Sequence, residues 1–268
     1  MARVLAISNQ KGGVGKTTTT INLSAALCRK GKRVLVVDLD PQGNASSGLG
    51  WPRASVESGL YDVLFGERTF DEVRLAGGQR LDLLAATRDL VGAELELADQ
   101  PDRDRRLRKV LSGVRERYDY VLIDCPPSLG LLTLNALGAA DGVLIPLQAE
   151  YYAMEGLSEI VRTIALVRQK LNPDLSRDGI VLTMMDARNN LCREVERQVR
   201  EAMPDEVFAT SIPRNVRLGE APSFGKPIVD YDVKSPGSKA YLALADEYLA
   251  REGARLATST PALKENAS

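Results

Sequence analysis

The stretch Lys11-Gly-Gly-Val-Gly-Lys-Thr-Thr18 decides the fold of this chain. It follows the short apolar run of residues 4–7 and precedes a long helical pattern, so it joins a buried strand to a helix. Glycines in such a loop let successive backbone N–H groups turn inward around phosphate oxygens, and the positive N-terminal end of the helix adds to the attraction. The stretch therefore predicts a phosphate-binding loop.

The side chains of this loop have predictable tasks. Lys16 supplies a positive charge for the outer phosphates, and the Thr17 hydroxyl is placed to hold Mg2+. The loop departs from the pattern GxxxxGK[ST] at Gln10, where glycine is usual, and a second lysine, Lys11, follows. A purely structural glycine-rich turn is the alternative, but both flanking patterns favour phosphate binding. The expected ligand-binding set is Lys11, Gly12, Gly13, Val14, Gly15, Lys16, Thr17 and Thr18.

The composition is ordinary for a soluble α/β protein. The 268 residues can bury one large core, with 44% hydrophobic and 26% charged residues. No apolar run approaches the roughly 20 residues needed to cross a bilayer. The three cysteines are scattered and odd in number, which predicts reduced thiols and a cytoplasmic location. There are no histidines, so acid–base chemistry must use carboxylates, lysine or water.

Strands and helices alternate along the chain, which predicts an α/β fold with a doubly wound, mostly parallel sheet and helices on both faces. Strands are expected at residues 3–8, 33–38, 81–86, 120–124, 143–147, 180–184 and 207–212. Helices are expected at residues 16–29, 103–117, 154–171, 193–202 and 237–251. We expect one P-loop domain over residues 1–252 and a disordered tail over residues 253–268, because the end of the chain is small, polar and contains proline.

Two acidic motifs stand where predicted strands end: Asp38-Leu-Asp-Pro-Gln-Gly-Asn44 and Asp124-Cys-Pro-Pro-Ser128. Ligands of open α/β sheets bind beyond the carboxyl ends of the strands, beside the phosphate loop. Asp124 is therefore the candidate for orienting the Mg2+ shell. Asp40, in a loop that could move, is the candidate for orienting an attacking water and for a place in the metal site. Each aspartate could instead simply end a strand in a turn.

The motifs KGGVGKTT, DLDPQGN and DCPPS together resemble those of the ParA/MinD family of deviant Walker A ATPases, and most closely chromosomal ParA proteins of the Soj type. The resemblance continues through residues 146–156 and 212–226 and spans roughly residues 3–250. It implies the P-loop NTPase fold, binding of ATP and Mg2+, slow ATP hydrolysis, and closure into a nucleotide sandwich homodimer.

The resemblance also implies roles for individual residues. Lys11 would reach the partner's phosphates as an arginine finger does, although a solvated surface lysine is the alternative. Gly12 would sit where two chains approach too closely for a side chain, and Asp40 would position water. Pro213 and Asn215 would contact adenine. The implied catalytic residues are Lys11, Lys16 and Asp40, and the implied metal site consists of Thr17, Asp40 and Asp124.

DNA binding is a less direct expectation, because 35 basic and 36 acidic residues give a net charge of -1. The resemblance implies an ATP dimer that coats double-stranded DNA without sequence preference until a ParB-type centromere-binding protein triggers hydrolysis. A local basic face must then provide the contact, and its affinity should fall with salt. The candidates are Arg193, Arg197, Arg200, Arg214, Arg217 and Lys226. Interleaved glutamates could make the first three an ordinary solvated helix face.

We therefore expect an ATP-dependent switch for chromosome or plasmid partition, cytoplasmic and nucleoid-associated. A membrane partner is not expected, because the end of the chain has no basic amphipathic helix with aromatic anchors. One alternative is a nucleotide-gated scaffold that positions another protein cargo, such as a polar or cell-division assembly. Another is a phosphotransferase or ligase for a small metabolite, although no further acid, base or nucleophile cluster supports it.

Overall fold

Seven strands form the sheet at the centre of the protein. The computed structural model describes residues 1–78 and 80–259 of the chain. Within them the strands are β1 (Arg3–Ile7), β2 (Val34–Asp38), β3 (Leu75–Ala76), β4 (Leu81–Leu84), β5 (Tyr120–Asp124), β6 (Gly142–Gln148) and β7 (Ser176–Thr183). Their spatial order is β3-β4-β2-β5-β1-β6-β7, and only the β3–β4 pair is antiparallel. The predicted doubly wound, mostly parallel sheet is confirmed.

Helices connect and follow these strands. The α-helices of the described residues are α1 (Lys16–Arg29), α2 (Asn44–Gly48), α3 (Leu60–Phe65), α4 (Phe70–Val73), α5 (Ala93–Ala98), α6 (Arg106–Ser112), α7 (Leu131–Ala139), α8 (Ala153–Lys170), α9 (Asn190–Ala202), α10 (Val216–Glu220), α11 (Ile228–Tyr231) and α12 (Pro236–Ser259). Short 3-10 helices occupy Arg53–Ser55, Asp89–Val91, Arg115–Arg117 and Ala221–Phe224. No helix in this part of the chain combines the length and the apolar character that a membrane span needs.

The central strands are largely apolar because helices cover both faces of the sheet. Alternate residues of β2 belong to different cores: Leu35 and Val37 pack on one face, and Val34 and Val36 pack on the other. Residues of α6, α7 and α8 complete the first core, and residues of α1 and α12 complete the second. The continuous apolar runs that predicted buried strands are therefore explained by burial on two sides.

The strand ends that carry the sequence motifs meet at one edge of the sheet. Strand β5 lies between β1 and β2, so Asp124 is in register with both Ile7 and Asp38. The loops that follow these three strands converge beyond their carboxyl ends, which is where ligands of open α/β sheets bind. The fold thus places the glycine-rich loop and both acidic motifs side by side.

Two of the expected secondary-structure elements are wrong. Residues 103–117 do not form one helix, since α6 ends at Ser112 and Gly113 separates it from a short 3-10 helix. Residues 207–212 are not a strand, and only isolated bridges at Val207 and Pro213 join this segment to the β7 side of the sheet. Between those bridges the N–H groups of Ala209 and Thr210 donate to the Glu247 carboxylate of α12, each at 2.8 Å, and so are not available to β7.

The last helix is longer than expected. Helix α12 continues to Ser259, so residues 253–259, which the sequence placed in a disordered tail, are helical. Arg255 Nη1 donates to Asp178 Oδ1 at 2.8 Å and ties this part of the helix to β7. The rest of the expected tail, residues 260–268, lies outside the described residues.

Asp178 of β7 is the centre of a buried ion-pair network that joins β1 to α12. Its fully buried carboxylate accepts hydrogen bonds from Arg3, Tyr248 and Arg255. Burial alone would raise the pKa of Asp178, but the hydrogen bonds and positive charge of Arg3 outweigh it, and the pKa lies below its usual range. Gly142 faces this carboxylate, which would collide with any Cβ atom at that position.

Candidate functional site

The residues after β1 form the loop that the sequence predicts to bind phosphate. Gly13 and Gly15 have φ values of +76° and +91°, a conformation that other residues rarely adopt. Gly15 immediately precedes α1, so the positive end of that helix faces the loop. Thr183 Oγ1, at the end of β7, donates to the carbonyl of buried Val14 at 2.8 Å. The loop is therefore held between β1 and β7 at the start of α1.

Lys16 occupies the first position of α1 and is buried. Its Nζ donates to the backbone carbonyl of Lys11 at 3.1 Å, so the ammonium group spans the loop from its end to its beginning. Burial lowers the pKa of Lys16 below the ordinary 10.5, although the negative charges of Asp124 and Asp40 oppose the shift. The charge predicted to face phosphate thus lies inside the loop.

Two threonines of α1 hold the carboxylate of Asp124. Thr17 Oγ1 donates to Asp124 Oδ2 at 2.8 Å, and Thr20 Oγ1 donates to Asp124 Oδ1 at 3.0 Å. The structure therefore brings together two of the three residues expected in the metal site. The role of Thr20 was missed, although its spacing of three residues from Thr17 places both hydroxyls on one helix face.

Asp38 is a second buried carboxylate at this edge of the sheet, and no role was predicted for it from the sequence. Its Oδ2 accepts from the backbone N and the Oγ of Ser46, at 2.7 and 2.6 Å. Its Oδ1 is buried without a hydrogen-bond partner among the described residues. The available signal was its position, because Asp38 ends β2 as Asp124 ends β5.

The two buried aspartates affect each other. Burial raises the pKa of Asp124 well above the ordinary carboxyl value of 3.8, and the negative charge of Asp38 raises it further. Burial also raises the pKa of Asp38, while its hydrogen bonds from Ser46 act in the opposite direction. Each buried carboxylate therefore disfavours the ionised form of the other, and a cation bound near them would favour their ionised forms.

Asp40 lies in the loop that follows β2 and is 8% exposed. Its Oδ1 accepts from the backbone N of Gln42 at 2.9 Å, and its carbonyl accepts from the backbone N of Gly43 at 2.9 Å. Asp40 follows β2, the strand beside β5, and its negative charge adds to the raised pKa of Asp124. We call the surroundings of Asp38, Asp40 and Asp124 the acidic pocket. None of the hydrogen bonds of Asp40 within the described residues reaches Thr17 or Asp124, the other two residues of the expected metal site.

The side chain of Lys11 leaves the loop rather than turning into it. Its Nζ forms an ion pair with Glu150, in the turn after β6, and lies 5.7 Å from the centre of the Tyr152 ring. The backbone N of Lys11 donates to Asn9 Oδ1 at 3.0 Å, and Asn9 Nδ2 in turn donates to the Pro146 carbonyl at 2.8 Å. Lys11 is therefore an anchored side chain, not a freely solvated one.

Gln10 and Gly12 flank Lys11. Contacts within the chain explain the residue at position 10 but not the glycine at position 12. Gln10 Nε2 donates to Thr163 Oγ1 at 2.8 Å and ties the entrance of the loop to α8. A Cβ atom at Gly12 would meet no atom within 4 Å in the described residues, and its φ is not positive. Nothing in this part of the same chain therefore requires glycine at position 12.

A cleft of about 220 Å³ opens on the other side of the loop, next to α10 and α12. Both residues expected to contact a base are in its lining, together with Gly15, Thr18, Thr183, Met184, Leu218 and Tyr241. Asn215 begins α10, and its Oδ1 accepts from the backbone N of Arg217 at 2.8 Å. Pro213 lies just before it. An apolar cleft with a few fixed polar groups is typical of a small-molecule site.

The six basic residues expected to contact DNA differ in their surroundings. Three pair with acidic side chains of the same chain: Arg197 with Glu194 and Glu201, Arg200 with Glu196, and Arg217 with Glu220 and Asp232. Arg193 donates to the side chain of Asn190. Arg214 and Lys226 are exposed and form no ion pair within residues 1–78 and 80–259. Arg193, Arg214 and Lys226 therefore carry positive charges that no acidic side chain of the described residues pairs with, and only Arg214 and Lys226 of these lie outside α9.

Comparison with known proteins agrees with this geometry. A family model described as an AAA domain matches residues 2–177. The chain is 54% identical over 253 residues to the chromosome partitioning protein ParA of Myxococcus xanthus, covering 94% of this chain and 89% of that protein. It is 55% identical over 249 residues to the chromosome-partitioning ATPase Soj of Thermus thermophilus, covering 93% and 96%.

A solved structure shows the same fold over nearly the whole chain. It is described as cobyrinic acid a,c-diamide synthase from Mycobacterium smegmatis with bound ADP and magnesium. The TM-score is 0.84 at 39% sequence identity, and the match covers 95% of this chain and 97% of that one. A protein of the same fold with 39% sequence identity is therefore described with bound ADP and magnesium.

Proposed function

The chain belongs to the ParA/MinD family of ATPases, and from that premise we propose that it is an ATP-dependent switch for DNA partition. In this proposal Mg-ATP drives sandwich dimerisation and non-specific binding to double-stranded DNA. Slow hydrolysis, stimulated by a ParB-type protein, returns the dimer to monomers. The observation that carries the proposal is the arrangement of buried Lys16 and Asp124 with half-buried Thr17 at the phosphate loop of a chain similar to partition ATPases.

The residues present fit a magnesium ion. The hydroxyl of Thr17 and the carboxylate of Asp124 are hard oxygen donors, and Asp38 Oδ1 is a buried oxygen that lacks a partner among the described residues. No group of three His, Cys, Asp or Glu side chains there is arranged to hold a metal alone. Mg2+ does not need such a group, since it usually keeps waters and takes substrate phosphates as ligands. When bound, it would neutralise charge on the phosphates.

The nucleotide would lie across α1, with its phosphates in the loop and its base in the cleft. Lys16 and the backbone N–H groups of residues 12–18 would hold the phosphates. Pro213 would pack against the base. Because Asn215 Oδ1 caps α10, a hydrogen bond from this side chain to the base would use its NH2 group as donor.

Hydrolysis would depend on positioning rather than on a strong base. Asp40 is held by its hydrogen bond from Gln42 at the edge of the acidic pocket, where its carboxylate could orient a water toward the outer phosphate. The charge that develops there would be stabilised by Lys16 of the same chain and Lys11 of the partner. A cation supplied from a second chain can raise phosphoryl-transfer rates by about 10³–10⁵-fold, and it makes hydrolysis depend on dimerisation.

Two features of the loop entrance are consistent with the approach of a second chain beside Gly12. The free space beside Gly12 would admit the backbone of another protomer, and a side chain at this position would obstruct it. The Lys11 side chain already leads away from its own loop, so it is placed at the surface from which a partner could be reached. The proposed dimer would localise to the nucleoid in the cytoplasm through its contacts with DNA.

The DNA contact is proposed to centre on Arg214 and Lys226. We expect Arg214→Ala combined with Lys226→Ala to weaken DNA binding and to reduce the slope of log K against log salt by about 1 for each phosphate that is no longer neutralised. Arg197→Ala should have a smaller effect, because Arg197 is already paired with Glu194 and Glu201. The measurement is fluorescence anisotropy with a random-sequence duplex in Mg-ATP over a salt series.

The control for this prediction is Arg168→Ala, since Arg168 is an exposed cation of α8 outside the expected DNA set. Its salt slope should equal that of the wild type. Equal losses for Arg197→Ala and the double variant would place the DNA contact on α9 instead.

The proposed function is tested by retention on random-sequence duplex DNA with Mg-ATP, with Mg-ADP and without nucleotide. We expect retention only with Mg-ATP, and we expect it to fall steeply as salt rises. Equal retention in all three states, or none in any, would overturn the DNA part of the proposal. In that case the alternative would be a ParA-like ATPase that positions a different protein cargo or a cell-division or polar assembly, identified by the protein that accelerates its ATPase.

A small-molecule ligase activity is less well supported. The neighbour described as a synthase shares 39% identity with the chain, whereas the partition proteins share 54–55% over similar spans.

A further inference from the structure

The ion pair between Lys11 and Glu150 conflicts with the proposed role of Lys11. The proposed function requires the Lys11 ammonium to reach the phosphates held by a second chain. In the structure of the single chain, the same ammonium is paired with Glu150 and lies against Tyr152. One ammonium group cannot occupy both positions, so dimerisation must separate Lys11 from Glu150.

Glu150 is well placed to hold Lys11. It lies in the turn between β6 and α8, where its backbone N donates to the Gln148 carbonyl at 2.9 Å and its carbonyl accepts from Ala153 N at 2.9 Å. The backbone of Lys11 is fixed through Asn9, which is itself bonded to Pro146 of β6. Both ends of the ion pair are therefore anchored to β6 and its following turn, and only the side chains need to move to break it.

We propose that Glu150 is a positioning residue that holds Lys11 away from the nucleotide in the monomer and so opposes ATP-driven dimerisation. This inference rests on the proposed function. In the dimer the partner's phosphates would replace Glu150 as the anion that Lys11 contacts. Glu150 thereby competes with the partner's phosphates for the Lys11 ammonium, and dimerisation must overcome that competition.

The expected change in the dimer dissociation constant follows from the solvent exposure of the ion pair and from the two-fold symmetry of the dimer. The side chains of Lys11 and Glu150 are 37% and 34% exposed, so their pair is partly screened by water. Loss of one such pair changes an equilibrium by about two- to fivefold. A symmetric dimer must break two of them, so the dimer dissociation constant should change by the square of that factor, about 4- to 25-fold.

The test is Glu150→Gln, measured by sedimentation equilibrium with magnesium and a slowly hydrolysed ATP analogue. We expect a dimer dissociation constant about 4- to 25-fold lower than that of the wild type. ATPase activity should rise at limiting protein concentration but reach the same turnover per dimer when the protein is fully dimeric. If Glu150 only stabilised the fold, Glu150→Gln would not lower the dimer dissociation constant while leaving the turnover per dimer unchanged.

The matched control is Glu159→Gln, an exposed glutamate of α8 that lines the same surface cleft as Lys11 without an ion pair to it in the described residues. Its dimer dissociation constant should equal the wild-type value. In the Lys11→Ala background, Glu150→Gln should have no effect, because the pair is already absent. Glu150→Asp, which keeps the charge on a shorter side chain, should give an intermediate value.

The outcomes separate the inference from the function on which it rests. A wild type that dimerises with the ATP analogue, together with Glu150→Gln at the same or a higher dissociation constant, would overturn the role of Glu150 and leave the proposed switch intact. An effect of Glu150→Gln that persists in the Lys11→Ala background would also overturn it. A wild type that stays monomeric with the analogue would overturn the proposed dimerisation and the inference together.

Discussion

Asp40→Ala is expected to lower ATP turnover by about 10²-fold or more while Mg-ATP binding persists. Lys16, Thr17 and Asp124, which would hold the phosphates and the metal, form their contacts without Asp40. The change removes the carboxylate proposed to orient water at the edge of the pocket. The expected product is an ATP-bound dimer that stays on DNA. The measurements are single-turnover phosphate release and binding of a fluorescent ATP analogue.

Asp40→Asn is the matched variant for this prediction. The Asp40 carboxylate also shapes its own loop, because Oδ1 accepts the backbone N–H of Gln42. Asparagine keeps that acceptor and loses the charge, whereas alanine loses both. If both variants hydrolyse ATP slowly, the charge of Asp40 matters for water positioning. If Asp40→Asn is normal and Asp40→Ala is slow, Asp40 acts only through the loop, and normal turnover in both would show that Asp40 has been misassigned.

The parts of the site that could be predicted from the sequence depend on short contiguous segments. The phosphate loop is a contiguous segment, and Asp124 follows an apolar run that can only be a buried strand, so the meeting of Thr17 and Asp124 follows from the general form of a parallel sheet. Thr20 and Asp38 obey the same rules of helix spacing and strand ending. They were missed because only one residue of each motif was assigned to the metal site.

The parts that could not be predicted depend on contacts between distant segments. Nothing in residues 10–18 indicates that Lys11 pairs with Glu150, because that contact depends on the turn between β6 and α8. Residues 207–212 have the apolar pattern of a strand, but Glu247 of α12 binds two of their N–H groups, which sequence periodicity cannot reveal. Likewise, the composition of residues 253–259 does not reveal the contact between Arg255 and Asp178, which joins α12 to β7.

Asp124 and Asp178 show why burial alone does not decide the state of a carboxylate. Both are fully buried at strand positions of the same sheet. Asp178 accepts from Arg3 and Arg255, which hold its pKa below the usual range despite its burial. Asp124 has neutral hydroxyls as donors and Asp38 as a neighbour, so burial and that negative charge raise its pKa. Burial of an acid that no cation hydrogen-bonds costs stability, and a bound cation can offset that cost.

Asp124→Asn is therefore expected to stabilise the nucleotide-free protein and to abolish its ATPase activity. The free energy of unfolding in chelator should rise by about 1–3 kcal/mol near neutral pH, since the amide fills the same space without a buried charge. ATP turnover should fall by about 10²-fold or more, because the carboxylate proposed to orient the metal is gone. Urea denaturation and phosphate release measure the two effects.

The raised pKa of Asp124 also predicts how the stability of the folded chain changes with pH. The folded chain holds the Asp124 proton more tightly than the unfolded chain, because the folded pKa is raised above the ordinary 3.8. Between those two pKa values the folded state binds more protons, so this group's contribution to stability falls as pH rises toward neutrality. The stability lost between about pH 5 and about pH 8 should therefore be smaller in Asp124→Asn than in the wild type.

Asp178→Asn is the control, because it should lower the free energy of unfolding where Asp124→Asn should raise it. Its carboxylate is paired in the fold and its pKa is lowered, so its contribution to stability is present above the ordinary carboxyl pKa and is lost only at lower pH. Removing that charge leaves Arg3 without its buried partner, and the free energy of unfolding should fall by about 3 kcal/mol at neutral pH. If both variants lower stability, the Asp124 carboxylate is held in the folded chain as an ion stabilised by its surroundings, and the pocket does not need a cation to offset its charge.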